Sequence, residues 1–137
     1  MNTLRNVLLC ALWLAPAPIL AQADYPNKAV RIIVPFPAAG SLDMITRTVG
    51  EKLSAKWGQP VVVENRAGAA GNIGAEAVYR ADPDGYTLLS CPTPTLSINH
   101  NLYRQLAYDP TRFVPITVLA TVPNVIVARN DLPARSV

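Results

Sequence analysis

The chain has 137 residues, a formal net charge of +3 and a hydrophobic content of 50%. Its length suits one small domain with a buried core. The positive charge is too small, and the basic residues too scattered, for a protein that binds nucleic acid through phosphate contacts. We therefore expect no nucleic-acid partner.

The first 23 residues have the features of a secretory signal peptide. Arg5 is the only charged residue in this segment, and an apolar stretch follows over residues 7–20. Ala21-Gln22-Ala23 supplies the small residues that signal peptidase requires. The apolar stretch contains two prolines and is shorter than the roughly 20 residues that a transmembrane helix needs, so a retained anchor is the less favoured alternative. We predict export to the periplasm and cleavage after Ala23.

Strands and helices alternate along the next part of the sequence, which predicts an α/β fold with a mainly parallel sheet. In chain order we expect a strand over Val30–Val34, a helix capped by Ser41 and ended by Gly58, a strand over Val61–Glu64, a helix over Asn72–Arg80 and a strand over Tyr86–Ser90. Helical spacing places Ile45, Val49 and Leu53 on the buried face of the first helix, and Ile73, Ala77 and Val78 on that of the second.

The sequence after Ser90 is less regular. We expect a short helix over Leu96–Tyr103, a turn at Asp109-Pro110 and two late strands over Val114–Ala120 and Asn124–Ala128. Residues 132–137 resemble the approach to a further helix. A parallel sheet normally buries both faces, yet no helix follows to cover the late strands. We therefore interpret the sequence as a fragment, with a natural frayed tail as the alternative.

Two loops have the character of an anion site. Phe36–Asp43 and Gly68–Asn72 each follow a strand and open a helix, and neighbouring parallel strands bring such loops to one edge of a sheet. Free N–H groups at helix N-termini attract anions. Ser41 and Asn72 add side-chain donors, and Thr93 and Thr95 supply hydroxyls after the third strand. Alternatively, these small residues serve only as turns and caps.

Other binding chemistries find little support. Gly68, Gly71 and Gly74 do not have the spacing of a dinucleotide-binding loop, and no P-loop lysine is present. The acidic residues are scattered, so we expect neither a metal nor a cofactor. Arg66 could pair with a substrate carboxylate, but a structural ion pair with Glu64 or Asp43 is favoured.

Catalytic patterns are also weak. Cys91 and His100 could form the nucleophile and base of a small secreted hydrolase. Nothing in the sequence marks a third group that would orient the histidine. Catalysis is therefore the least favoured function.

Taken together, the motifs resemble the Bug/TctC family of periplasmic solute-binding proteins. The matching segments are Tyr25-Pro26, Val30–Pro37, Val61–Gly74 and Pro83–Leu89. The resemblance implies a type II-like periplasmic binding fold whose two lobes close on a small carboxylate, without enzymatic activity. Residues 24–137 would form the N-terminal part of the first lobe. The implied partners are the carboxylate ligand and the membrane subunits of a tripartite tricarboxylate transporter.

The resemblance also implies a set of ligand-binding residues: Phe36, Pro37, Gly40, Ser41, Asp43, Gly71, Asn72, Thr93 and Thr95. The first loop departs from the family pattern. Ala38, Ala39 and Ser41 stand where proline and glycines are common, and Leu42 stands where a hydroxyl residue is usual. Family members are more than twice as long, so we expect impaired binding; the alternative is a nonfunctional or purely interacting remnant.

The signal-peptide assignment predicts a mature N-terminus at Asp24. N-terminal sequencing of the exported protein checks this, because signal peptidase cuts directly after its small-residue site. Intact Met1 on periplasmic protein, or a lipid on Cys10, would contradict the assignment.

Overall fold

The computed structural model describes residues 25–123, 125–127 and 129. Its elements are β1 (Val30–Val34), α1 (Ser41–Trp57), β2 (Val61–Asn65), a 3-10 turn (Ala69–Gly71), α2 (Asn72–Tyr79), β3 (Thr87–Leu89), α3 (Thr93–Ser97), α4 (Asn99–Leu102) and a second 3-10 turn (Pro110–Arg112). The predicted signal peptide, its cleavage site and the helix approach at 132–137 lie outside the described residues. Within the described part, no helix has the length and apolar character needed to cross a membrane.

The three strands form one parallel sheet in the order β2-β1-β3. The central strand β1 supplies much of the core, since Val30, Ile33 and Val34 are fully buried. Because β2 and β3 lie on opposite sides of β1, right-handed crossovers place α1 and α2 on opposite faces of the sheet. The predicted α/β fold with a parallel sheet is confirmed.

The two ends of α1 differ in how well the sequence predicted them. Gly58 ends the helix as expected: it is left-handed, with φ 66°, and its N–H donates to the Ser54 carbonyl at 3.0 Å. The prediction of Ser41 as N-cap is wrong, because Gly40 is the N-cap and Ser41 is the first helical residue. Asp43 explains the shift, since its carboxylate reaches back to accept the Ala39 N–H at 2.9 Å.

The buried faces of both main helices are rotated from the predicted ones. On α1, Asp43, Thr46 and Gly50 are buried, whereas the predicted Ile45, Val49 and Leu53 are only half-buried. On α2, Gly74 and Ala75 are buried, the predicted Ala77 is half-buried, and Ile73 is exposed. Small residues face the sheet because they allow each helix to approach closely: a Cβ on Gly50 would already contact Val61 and Val63.

The last part of the described chain departs most from the sequence-based expectations. The predicted helix at 96–103 is replaced by α3 and α4, which break at Ile98. The predicted strand over Val114–Ala120 is wrong, because residues 114–120 form neither strand nor helix. The ends of the other late strand, Asn124 and Ala128, lie outside the described residues, and residues 125–127 are not a strand. No described strand pairs with these segments, and a strand needs a partner for its backbone groups.

This late segment presents apolar side chains to solvent, with Val114 85%, Ile116 75% and Val118 79% exposed. Contiguous exposed apolar surface promotes association. We therefore expect the chain to self-associate, and the double variant Ile116→Lys/Val118→Lys to shift it towards monomer in analytical ultracentrifugation.

Met44→Lys is the matched control, because Met44 is also exposed but lies on α1, outside the late segment. It should leave the association unchanged. A monomeric parent at the same protein concentration would contradict the expectation.

Candidate functional site

Three chain segments meet at the carboxyl edge of the sheet. They follow β1, β2 and β3, and each contributes one residue to a tight contact that we call the loop junction: Phe36 from the first loop, Gly71 from the 3-10 turn and Thr95 from α3. A Cβ built on Gly71 would lie 2.8 Å from Thr95 Oγ1 and 3.4 Å from Phe36 Cε2. The structure therefore brings these three predicted site residues together.

The N-terminus of α1 opens beside the first of these loops. Gly40 and Ser41 are both exposed. The Met44 N–H donates to the Gly40 carbonyl at 3.0 Å, so the N–H groups of Ser41 and Leu42 precede the first intrahelical donor. Such unpaired donors, together with the positive end of the helix dipole, favour an anion.

Alanines adopt unusual backbone angles in two of the loops. Ala39, Ala69 and Ala70 have φ values of 67°, 47° and 52°. This left-handed region is unfavourable for residues with a Cβ, and it persists only where the surroundings hold it. Both strained loops border the same edge of the sheet.

Asp43 lies at the centre of a hydrogen-bond network that we call the Asp43 cluster: Asp43, Arg47 and Asn65. Its Oδ2 accepts from the Ala39 N–H at 2.9 Å and from Arg47 Nε at 3.0 Å. Its Oδ1 accepts from Asn65 Nδ2 at 2.9 Å and lies 3.0 Å from Arg47 Nη2. The side chain of Asp43 is almost fully buried.

These donors keep the carboxylate of Asp43 ionised. The Arg47 hydrogen bond, followed by those from the Ala39 N–H and Asn65, lowers the pKa of Asp43 from 3.8 to about 2. A carboxyl whose pKa is lowered on folding stabilises the fold above its ordinary pKa, and that stabilisation is lost as pH falls through about 2. The cluster therefore stays intact at neutral and mildly acidic pH.

Asn72 has a structural role in this arrangement. Its Oδ1 accepts from Asn99 Nδ2 at 2.6 Å and lies 2.8 Å from the Tyr108 hydroxyl. The Tyr108 hydroxyl also lies 2.7 Å from the Thr95 carbonyl, and its single hydrogen serves one acceptor at a time. These contacts join the start of α2 to α3 and α4. Sequence reasoning missed Asn99 and Tyr108, because residues so distant along the chain carry no shared spacing signal.

The two predicted threonines differ in environment. Thr95 is only 1% exposed, and its hydroxyl oxygen has no hydrogen-bond partner within the described part of the chain. An unpaired buried hydroxyl is costly, by about 1–3 kcal/mol. Thr93 and Pro37 are exposed and lie outside the loop junction.

The structure argues against a Cys/His nucleophile pair. Burial raises the pKa of the Cys91 thiol to about 11, so it stays protonated at neutral pH. An activated cysteine shows the opposite shift. His100 is exposed, and its Nε2 lies 3.0 Å from Asn101 Nδ2.

The structural interpretation of Arg66 is confirmed. Its guanidinium pairs with Glu64 at 2.7 Å, and both side chains remain partly exposed. The alternative partner Asp43 is instead bound by Arg47.

Comparison with known proteins identifies the family. The profile described as TctC, tripartite tricarboxylate transporter family receptor, matches residues 45–137. The chain belongs to the TctC family. Among curated relatives, it is 39% identical to Protein BugT of Bordetella pertussis over 137 residues, covering 96% of this chain and 42% of BugT. It is 38% identical to a UPF0065 protein of Agrobacterium vitis, of which it covers 39%.

Two solved structures share the fold of this chain. A Rhodopseudomonas palustris protein solved with adipate is 39% identical, with a TM-score of 0.60 over 64% of this chain and 29% of that one. MatC from the same organism, solved with bound malate, is 35% identical, with a TM-score of 0.59 over 63% of this chain and 29% of that one. The chain thus spans less than half the length of these relatives.

Membership in the TctC family confirms the predicted family resemblance. It also confirms that the chain is not an enzyme, because the family consists of receptors of transport systems. The proposed Cys91 and His100 hydrolase is therefore wrong.

The loop junction predicts that Gly71 tolerates no side chain. Gly71→Ala should lower the free energy of unfolding by about 2–5 kcal/mol, because φ +93° disfavours a Cβ by about 1–2 kcal/mol and crowding adds about 1–3 kcal/mol. Urea denaturation measures this change.

Gly58→Ala is the matched control. Gly58 also has a positive φ, but a Cβ there would meet nothing within 4 Å. Gly58→Ala should therefore lower the free energy of unfolding only by the backbone cost of about 1–2 kcal/mol. If both variants lowered the free energy of unfolding equally, the loop junction would not be tightly packed.

Proposed function

We propose that this chain forms the carboxylate-binding part of an exported solute-binding protein that serves a tripartite tricarboxylate-type uptake system. The observation that carries the proposal is the convergence of Phe36, Gly71 and Thr95 beside the open N-terminus of α1. Membership in the TctC family supports it. So do the two structural relatives solved with adipate and malate, which are both small dicarboxylates.

The groups at the edge of the sheet suit a carboxylate. The N–H groups that open α1 are directed out of the helix end, where one ligand oxygen can accept from them. Ser41 adds an exposed hydroxyl at the same place. The unpaired Thr95 hydroxyl, at the loop junction, can gain a partner when a ligand oxygen or a bridging water reaches it.

The proposed function includes export to the periplasm and contact with a membrane transporter. The N-terminal segment with its Ala21-Gln22-Ala23 site would deliver the protein to the periplasm. There the loaded protein would meet the membrane subunits of the transporter. The small net charge of +3 offers little attraction to nucleic acid.

One observation favours a second candidate, an interacting polypeptide that does not bind solute by itself. The late segment exposes Val114, Ile116 and Val118, and an exposed apolar surface of this kind suits contact with another polypeptide. A titration of the chain separates the two candidates, because only the first predicts saturable binding.

Ser41→Ala should weaken carboxylate binding by about tenfold or more, because a hydrogen bond to a charged group contributes about 1.5–3 kcal/mol. Gly71→Val should weaken it further, since the branched side chain would displace the loop junction. Leu42→Thr, which restores the hydroxyl usual in the family, should tighten binding. Isothermal titration calorimetry with malate, adipate and citrate measures all three.

Thr48→Ala is the matched control, because Thr48 is an exposed hydroxyl residue on the same helix that bonds only to the Met44 carbonyl at 2.9 Å. Its affinity should equal that of the parent. If Ser41→Ala and Gly71→Val both bind as tightly as the parent, the site lies elsewhere.

A further inference from the structure

The carboxylate of Asp43 is fully engaged inside the protein. Each of its two oxygens has two donors within 3.0 Å, from the Ala39 N–H, Arg47 and Asn65. An ionised carboxylate has about four acceptor sites and no donor. Asp43 thus has nothing to offer an anionic ligand, and its charge would repel one if Arg47 did not offset it.

Asn65 links the Asp43 cluster to the first loop. Its Nδ2 donates to the Phe36 carbonyl at 3.1 Å as well as to Asp43 Oδ1 at 2.9 Å. Its Oδ1 accepts from Arg47 Nη2 at 2.8 Å. Because Asn65 is the last residue of β2, one amide side chain fastens the end of β2 to the loop that follows β1.

The first loop, residues 36–40, requires these hydrogen bonds to keep its conformation. Residues 37–40 are exposed, and Ala39 is held at φ 67°. The Ala39 N–H to Asp43 bond and the Asn65 to Phe36 bond fix the two ends of this strained stretch. Strained backbone of this kind persists only where neighbouring contacts hold it.

We infer that Asn65 and Arg47 are positioning residues, which act with Asp43 to hold segment 36–40 and the N-terminus of α1 in the geometry that receives a carboxylate. Asp43 then supports the site without contacting the ligand. This inference rests on the proposed carboxylate-binding function.

The charged groups around Asn65 are few. Asp43 and Arg47 face it from α1. On β2 and the following residue, Glu64 and Arg66 pair with each other at 2.7 Å and make no described hydrogen bond to segment 36–40. Glu64→Gln is therefore a matched control that changes a polar side chain directly beside Asn65.

Asn65→Asp tests the inference with almost no change in volume. The new oxygen would face the Phe36 carbonyl and Asp43, both of which are acceptors, while the contact with Arg47 would remain. In the full chain, hydrogen exchange at the Ala39 amide should accelerate by at least about tenfold, since this bond depends on the placement of Asp43. Affinity for malate and adipate should fall by about tenfold or more.

The double variant Asp43→Asn/Asn65→Asp exchanges the two side chains. It distinguishes an effect on the position of the first loop from an effect on the stability of the fold. An amide again faces a carboxylate beside Arg47, so the melting temperature should recover relative to Asn65→Asp. The Phe36 carbonyl still lacks its donor, so affinity should stay low. If the melting temperature and the affinity both recovered in the double variant, the role assigned to the hydrogen bond from Asn65 to the Phe36 carbonyl would be overturned.

Arg47→Gln provides a second route if Asn65→Asp fails to fold, because the Arg47 side chain is 45% exposed and its loss should be tolerated. It should also accelerate exchange at Ala39 and weaken binding. Unchanged exchange at Ala39 in both single variants would overturn the inference, and so would faster exchange with unchanged affinity. If the parent binds neither acid, the proposed function fails, while exchange at Ala39 still decides whether the cluster holds the loop.

Discussion

The buried carboxylate of Asp43 is the interaction on which the carboxyl edge of the sheet depends. It joins the start of α1, the loop after β1 and, through Asn65, the end of β2. A buried charge is costly unless donors surround it, and here Arg47 and two further groups do so. Removing any one donor leaves the carboxylate with an unsatisfied acceptor site, which weakens the link between the three elements.

Steric constraint is the second determinant of this edge. Gly71 lies against Thr95 and Phe36, with no room for a Cβ. Among the described residues other than glycine, the three left-handed positions are all alanines, the smallest residues that carry a Cβ. Close approach of the three segments thus leaves backbone N–H groups, rather than long side chains, at this edge, as the proposed carboxylate site requires.

The polar residues of the site divide into two kinds. Asn72, Asn99 and Tyr108 bond to one another and hold α2 against the short helices that follow β3. Ser41 and the open end of α1 remain exposed. Residue type alone does not separate these roles, because an asparagine at the start of a helix can equally donate to a ligand or accept from a neighbouring side chain.

Sequence alone determined the order of strands and helices through Asn72–Tyr79, the parallel sheet and the family, because β-branched runs, turn residues and a glycine helix end are local signals. It also placed Phe36, Gly71 and Thr95 at one edge. Only the tertiary structure showed that Asn65 and Arg47 complete the Asp43 cluster, since these residues are 18 positions apart and meet only when α1 packs against β2. The run at 114–120 reads as a strand but is not one, because a strand is decided by its partner, and the described chain supplies none.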